Sequence, residues 1–135
     1  MESIETSTVV SAPIADVYEH WTRLEEFPRF MEDVREVRKV EEKRYLTISE
    51  VDGQQYESLV EVMLEIPERR IAWRSVSGPE SSGMVFFEPD SSGGTRVGFK
   101  MRYAADEGLH QPVALEERLR SHLRNFKRLI EAPAS

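Results

Sequence analysis

Two periods divide this chain. From Pro112 to Ile130, Leu115, Leu119, Leu123, Phe126, Leu129 and Ile130 recur at steps of three and four. That spacing predicts one helix, ~28 Å long at ~1.5 Å per residue, with a continuous apolar stripe. Glu116, Glu117, Arg120, Arg124, Lys127 and Arg128 fall largely on its other faces. Between Val34 and Tyr103 the period shortens to two. Tyr56, Ser58, Val60, Val62 and Leu64 alternate with Glu57, Leu59, Glu61, Met63 and Glu65. Thr95, Val97, Phe99, Met101 and Tyr103 alternate with Arg96, Gly98, Lys100 and Arg102. Each run has one apolar and one charged face, the mark of a sheet wet on one side.

Turn chemistry sets the order of the elements. Residues 2–10 alternate and predict a first strand. Ser11-Ala12-Pro13 opens a short helix, with Ser11 or Ala12 at the cap and Pro13 in the first turn. Ile14, Val17, Tyr18 and Trp21 give that helix an apolar face. Thr22 is placed to cap a second short helix, Leu24 to Phe27, that Pro28 breaks. Strands follow over Val34 to Val40, Tyr45 to Val51, Gln54 to Ile66, Arg70 to Val76, Met84 to Glu88 and Thr95 to Tyr103. Asp52-Gly53 is a hairpin signal, because both residues tolerate positive φ. Ser77 to Gly83 reads as a loop, Pro89 to Gly94 as a turn and Ala132 to Ser135 as a loose tail. The fold class is therefore α+β: a seven-stranded curved antiparallel sheet wrapped on a long C-terminal helix, with two short helices between strands 1 and 2. Residues 1–135 form a single domain on this reading.

Charge and composition narrow the function classes. The formal net charge of −7 disfavours nucleic acid, whose backbone needs a basic face. It also disfavours anionic lipid surfaces. The late-helix cluster of Arg118, Arg120, Arg124, Lys127 and Arg128 reads as a solvated face that complements the helix dipole. The absence of cysteine removes disulfides, thiol catalysis and cysteine-ligated metal sites. No apolar stretch approaches a membrane span and no secretory pattern opens the chain, so a cytoplasmic location is expected.

The ordered segments resemble a family. They are Val9-Val10-Ser11-Ala12-Pro13 leading to Val17-Tyr18, then Trp21 through Met31, and Ile66-Pro67-Glu68 with Ile71-Ala72-Trp73-Arg74-Ser75. Gly83 with Val85, Phe87 and Pro89, Gly94-Thr95-Arg96-Val97, and Asn125 through Glu131 complete the series. Together they resemble the polyketide cyclase/dehydrase branch of the START-like, or SRPBCC, superfamily. The resemblance covers nearly the whole chain. It implies the helix-grip fold, shared with birch-pollen-type allergens, and a deep apolar cavity between helix and sheet. Members bind lipids, sterols, quinones or polyketides there. Some cyclise or aromatise a polyketide, and many only bind or carry. The resemblance also implies an acidic residue where this chain has His122.

The candidate residues follow from faces and spacing. Phe30, Tyr56, Ser58, Trp73, Phe86 and Tyr103, with Leu115, Leu119, His122 and Phe126 of the helix, are expected to line the cavity. Core packing is the blander reading of any single aromatic among them. His122 sits between Leu119 and Phe126 at helical steps and is the first candidate for proton transfer. Its blander reading, a boundary histidine bonded to a strand backbone or to water, is preferred. Tyr103 and Arg74 are the other catalytic candidates. Arg74 would bind an enolate or carboxylate only if its strand ran in the opposite phase. His20 and His110 read as ordinary, and no carboxylate is placed beside any histidine. No nucleophile elbow, His-Glu-x-x-His or Walker spacing occurs, so neither a metal nor a cofactor is expected.

Binding of a small hydrophobic molecule (lipid, quinone or polyketide-like) is the first functional reading. A polyketide cyclase, aromatase or dehydratase working in the same cavity is the alternative. An interaction module, dimeric through a strand edge or the helix ends, is the third.

Overall fold

A computed structural model describes residues 1–132. The expected tail beyond Ala132 lies outside the described residues. The chain runs β1 (Glu2–Val10), α1 (Ile14–Thr22), a 3₁₀ segment (Leu24–Arg29), β2 (Val34–Glu41), β3 (Arg44–Val51), β4 (Gln54–Ile66), β5 (Arg70–Ser77), β6 (Ser81–Pro89), β7 (Thr95–Tyr103) and α2 (Pro112–Glu131). The seven strands form one antiparallel sheet in the order β1-β7-β6-β5-β4-β3-β2. Hairpins join β2 through β7, while α1 and the 3₁₀ segment carry the chain from one sheet edge to the other. This is the helix-grip architecture expected from the sequence.

Turns and bulges shape the sheet. Asp52 and Gly53 take φ of 52° and 79°, as the β3–β4 hairpin requires. Register shifts interrupt β2–β3 twice and β4–β5 twice. Each added residue bends its strand and increases local twist, which curls the sheet toward α2. The second β4–β5 shift also corrects an expected face. Val62 pairs with inward Trp73, but Leu64 pairs with Ala72 and is exposed. The irregularity at Met63 breaks strict alternation, so Leu64 faces solvent.

Local expectations are displaced at three points. Helix α1 starts at Ile14, and Pro13 itself occupies the cap, with no side-chain cap bond. Ser11 is engaged elsewhere, since its backbone N–H donates to Glu131 Oε2 at 2.7 Å. Thr22 does not cap the next segment: its hydroxyl donates back to Glu19 O, and Arg23 precedes the 3₁₀ turn, which runs through Pro28 to Arg29. Strand β6 begins at Ser81 rather than Met84, because Ser81 and Gly83 pair with Tyr103 and Met101. A Cβ at Gly83 would lie 2.4 Å from Lys100 O and 3.2 Å from the Trp73 indole, so only glycine fits that close approach.

Packing splits α2 into unequal halves. Leu123 and Phe126 join a continuous core with Val10, Val17, Trp21, Phe30, Val97 and Phe99. Trp21 lies 5.0–5.3 Å, centroid to centroid, from Phe27, Phe30, Phe99 and Phe126. Leu115 and Leu119 belong to a smaller cluster with Met101 and Tyr103.

Candidate functional site

Beneath the first half of α2, beside the cluster that Leu115 and Leu119 form with Met101 and Tyr103, sheet and helix leave a gap. The space between them is a cavity of about 190 Å³. Its apolar wall comes from Val60, Val62, Ile71, Trp73, Val85, Phe99 and Met101 of the sheet, with Leu115 and Leu119 of α2. The same alternation that makes β4, β5 and β7 two-faced aims these side chains inward. Trp21, Leu24, Phe27 and Met31 border its aromatic end. Tyr45, Thr47, Ser49, Ser58 and Ser81 add hydroxyls.

A charged cluster interrupts this wall. Asp33, in the turn before β2, Arg118 and His122 all line the cavity. His122 Nε2 lies 2.5 Å from Asp33 Oδ1. Arg118 donates to Asp33 Oδ2 through Nε at 3.3 Å, with Nη2 at 3.2 Å from the same oxygen. Its Nη1 donates to Leu109 O at 2.7 Å. Asp33 is fixed in turn by its own carbonyl, which accepts from Glu50 N at 2.8 Å. Burial pushes the Asp33 carboxyl up. The hydrogen bond from His122, that ring's charge and the Arg118 guanidinium outweigh burial and hold the carboxyl below its ordinary range. Asp33 is thus the acceptor, and the tautomer follows: Nε2 of His122 donates. The ring's Nδ1 is buried and has no partner among the described residues.

The loop between β7 and α2 closes one end of the cavity. Asp106 Oδ1 accepts from both Gly108 N and His110 N at 2.8 Å, which folds the loop on itself. Leu109 and His110 are thereby buried and line the cavity. Burial lowers the His110 pKa, the charge of Asp106 opposes this, and Arg118 adds to the lowering.

Of the eleven residues singled out from sequence, five line the cavity and six do not. Ser58, Trp73, Leu115, Leu119 and His122 line the cavity. Phe30 and Phe126 lie behind it in the aromatic core, 5.2 Å apart. Tyr103 is buried against His110, rings 5.7 Å apart, and does not reach the cavity surface. Tyr56 lies under the β7–α2 loop, where a Cβ at Gly108 would meet its hydroxyl at 2.1 Å. Phe86 is on the opposite sheet face, lying across Gly98 with Lys100 Nζ 5.5 Å above its ring. Period two in β6 explains this: Val85 and Phe87 are buried inward, so Phe86 points out. Arg74 also points out, ion-paired with Glu61 at 3.2 Å, so it does not reach a ligand in the cavity.

Three histidine and arginine readings are corrected. His122 is bonded to a carboxylate, not to strand backbone or water. Asp33 escaped notice because 89 residues separate it from His122 and nothing in its local context marks it. His110 is a buried wall residue, not an ordinary loop histidine. Arg118 left the solvated basic face for the cavity. Its spacing of three from Leu115 and four to His122 was the signal that could have found it.

Comparison with known proteins gives consistent findings. A family model described as polyketide cyclase / dehydrase and lipid transport matches residues 10–126. An uncharacterised protein from Streptomyces lincolnensis is 29% identical, covering 97% of this chain and 91% of that protein. A crystal structure of a Deinococcus radiodurans protein is 27% identical with a TM-score of 0.77, covering 94% of this chain and 95% of its own. The di-domain aromatase/cyclase BexL from the BE-7585A biosynthetic pathway is 26% identical with a TM-score of 0.76, covering 98% of this chain and 48% of BexL.

Proposed function

The chain belongs to the polyketide cyclase / dehydrase and lipid transport family, and from that premise we propose that it binds a small hydrophobic molecule between its sheet and the first half of α2. The observation that carries this reading is the cavity itself. It is walled mainly by apolar side chains, with a few hydroxyls and one charged cluster placed along it. Apolar burial holds a ligand at ~25 cal/mol per Å² before entropic costs, and scattered polar groups orient it. At about 190 Å³ the space is smaller than the ~300–1,000 Å³ of drug-sized sites. It suits a compact ring system better than a long acyl chain.

The relatives support the same class of ligand. BexL is an aromatase/cyclase, and the matching family spans cyclases and lipid carriers. Native mass spectrometry of freshly purified protein, backed by a solvatochromic dye titration, tests the proposal. The expected result is a retained or added small apolar molecule at one per chain. Protein that neither carries nor takes up such a molecule contradicts it.

A further inference from the structure

The loop that closes one end of the cavity is lightly tied and carries a buried base. Among the described residues, two hydrogen bonds join residues 104–110 to the rest of the chain. Ala104 N donates to Glu80 O at 3.2 Å, and Arg118 Nη1 donates to Leu109 O at 2.7 Å. The other bonds are internal: Gly108 N and His110 N donate to Asp106 Oδ1, and Asp106 N donates to His110 O. His110 is 4% exposed, and its Nδ1 is buried with no partner among the described residues. The groups that face its ring are Tyr103 of β7, Asp106 of its own loop and Arg118 of α2, while Tyr56 of β4 lies under the loop at Gly108. Asp33 and His122 line the same cavity. An imidazolium at this position would carry an N–H at Nδ1 with no acceptor, and a second positive charge near Arg118. Burial therefore holds His110 below its ordinary value, against the pull of Asp106 and with the help of Arg118.

We propose that residues 104–110 are a pH-gated lid on the cavity, and that protonation of His110 is the event that opens it. The segment runs between two fixed ends, Tyr103 at the close of β7 and Gln111, which caps α2. Lifting it takes Leu109 and His110 out of the cavity wall and puts the imidazole in water, where both its N–H groups find partners. The open loop returns His110 to its ordinary value of ~6.5, whereas the closed loop holds it lower, so opening takes up a proton. The closed state is thus fully favoured above ~6.5 and loses ground as pH falls below that, levelling off at the closed value. Asp33 stays ionised through this range, because its carboxyl is held below its ordinary value. Its pairs with Arg118 and His122 persist while the lid moves. Mild acid then uncovers the cavity without unfolding the chain, and a bound molecule leaves faster.

The lid rests on the ligand-binding reading, and two readouts on the intact protein separate the two. Stopped-flow displacement of bound 2-naphthol, a probe that is neutral throughout, gives its release rate at about pH 7.5 and about pH 5.5. Amide hydrogen exchange of the ligand-free protein, corrected for intrinsic exchange, reports opening at Gly108 and His110. Release and opening are both expected to rise about three- to tenfold in acid, while Val97 and Phe99 of β7 keep their protection within about twofold. In His110→Phe and in His110→Gln the ratio of acid to neutral rates falls to about one, each protein serving as its own reference. Where one variant fails to fold, the other decides. Wild-type protein that binds 2-naphthol with release and exchange unchanged by pH overturns the lid and leaves the binding proposal standing. A full acid response in either histidine variant overturns the lid as well, since the sensor then lies elsewhere. An equal loss of protection at Val97 and Phe99 overturns it too, because the whole chain then loosens. Failure of the wild type to bind 2-naphthol at either pH overturns both.

Discussion

The two halves of α2 face the same sheet and do different work. Around Leu123 and Phe126 the gap is filled by Trp21, Phe27, Phe30 and Phe99, and Phe126 is fully buried. Around Leu115, Leu119 and His122 the cavity is lined from β3 and β4 by the small side chains of Thr47, Ser49, Ser58 and Val60. The aromatic half is knit by ring pairs among Trp21, Phe27, Phe30, Phe99 and Phe126. The open half holds its wall together with ion pairs and a loop. Side-chain volume on β2–β4, and not the helix stripe, decides where the interior stays open.

The largest loss is expected in the filled half. Phe126→Ala is expected to cost about 4 kcal/mol by denaturant unfolding, since Trp21 and Phe30 lose a ring partner and a cavity is left in the core. A loss below about 1 kcal/mol would mean that the aromatic half is not the stability centre.

The next effect falls on the open half. Asp33→Ala leaves both Arg118 and His122 without their anion and is expected to cost about 3 kcal/mol. The same carboxyl makes stability depend on pH. Its folded pKa is depressed, so its contribution is fully present above the unfolded value of ~3.9 and is lost as pH falls through the folded value. Asp33→Asn is expected to flatten that part of the stability–pH curve, measured as unfolding midpoints between acid and neutral pH. An unchanged slope would remove Asp33 from the clasp.

Filling the open half sharpens the contrast. Ser49→Phe places a ring in the cavity that Ser49 lines. It is expected to weaken 2-naphthol binding at least about tenfold, or ~1.4 kcal/mol, with the fold retained by circular dichroism. Undiminished affinity would put the ligand elsewhere. The smallest effect belongs to Arg74→Ala on the outer face, where the Arg74 side chain is exposed and Glu61 keeps its pair with Arg44. Melting temperature and 2-naphthol affinity are both expected to stay within error.

Legibility in the sequence followed periodicity. The seven strands, the helix from Pro112 and the Asp52–Gly53 turn were readable because each is a local pattern. Ser58, Trp73, Leu115, Leu119 and His122 were readable for the same reason: face follows from parity or helical step. Leu64 was misread because a register shift resets parity without leaving a mark in the sequence. Phe86 was misread as a ring to be lined up with other rings, although Val85 and Phe87 already claimed the inner face. Asp33 was out of reach. Its partner lies at the other end of the chain, and the turn that holds it has no signature. Arg118 shares the helical spacing of Leu115 and His122, but its charge by itself points to solvent.

The position of a ligand along α2 distinguishes the open half from the filled one. Intermolecular NOEs between 2-naphthol and methyl-labelled protein measure this directly. Contacts are expected from the naphthol ring to the methyls of Val60, Leu115 and Leu119, with none to Leu123 or Leu129. Contacts confined to Leu123 and Leu129, or to outward Leu64, would contradict it.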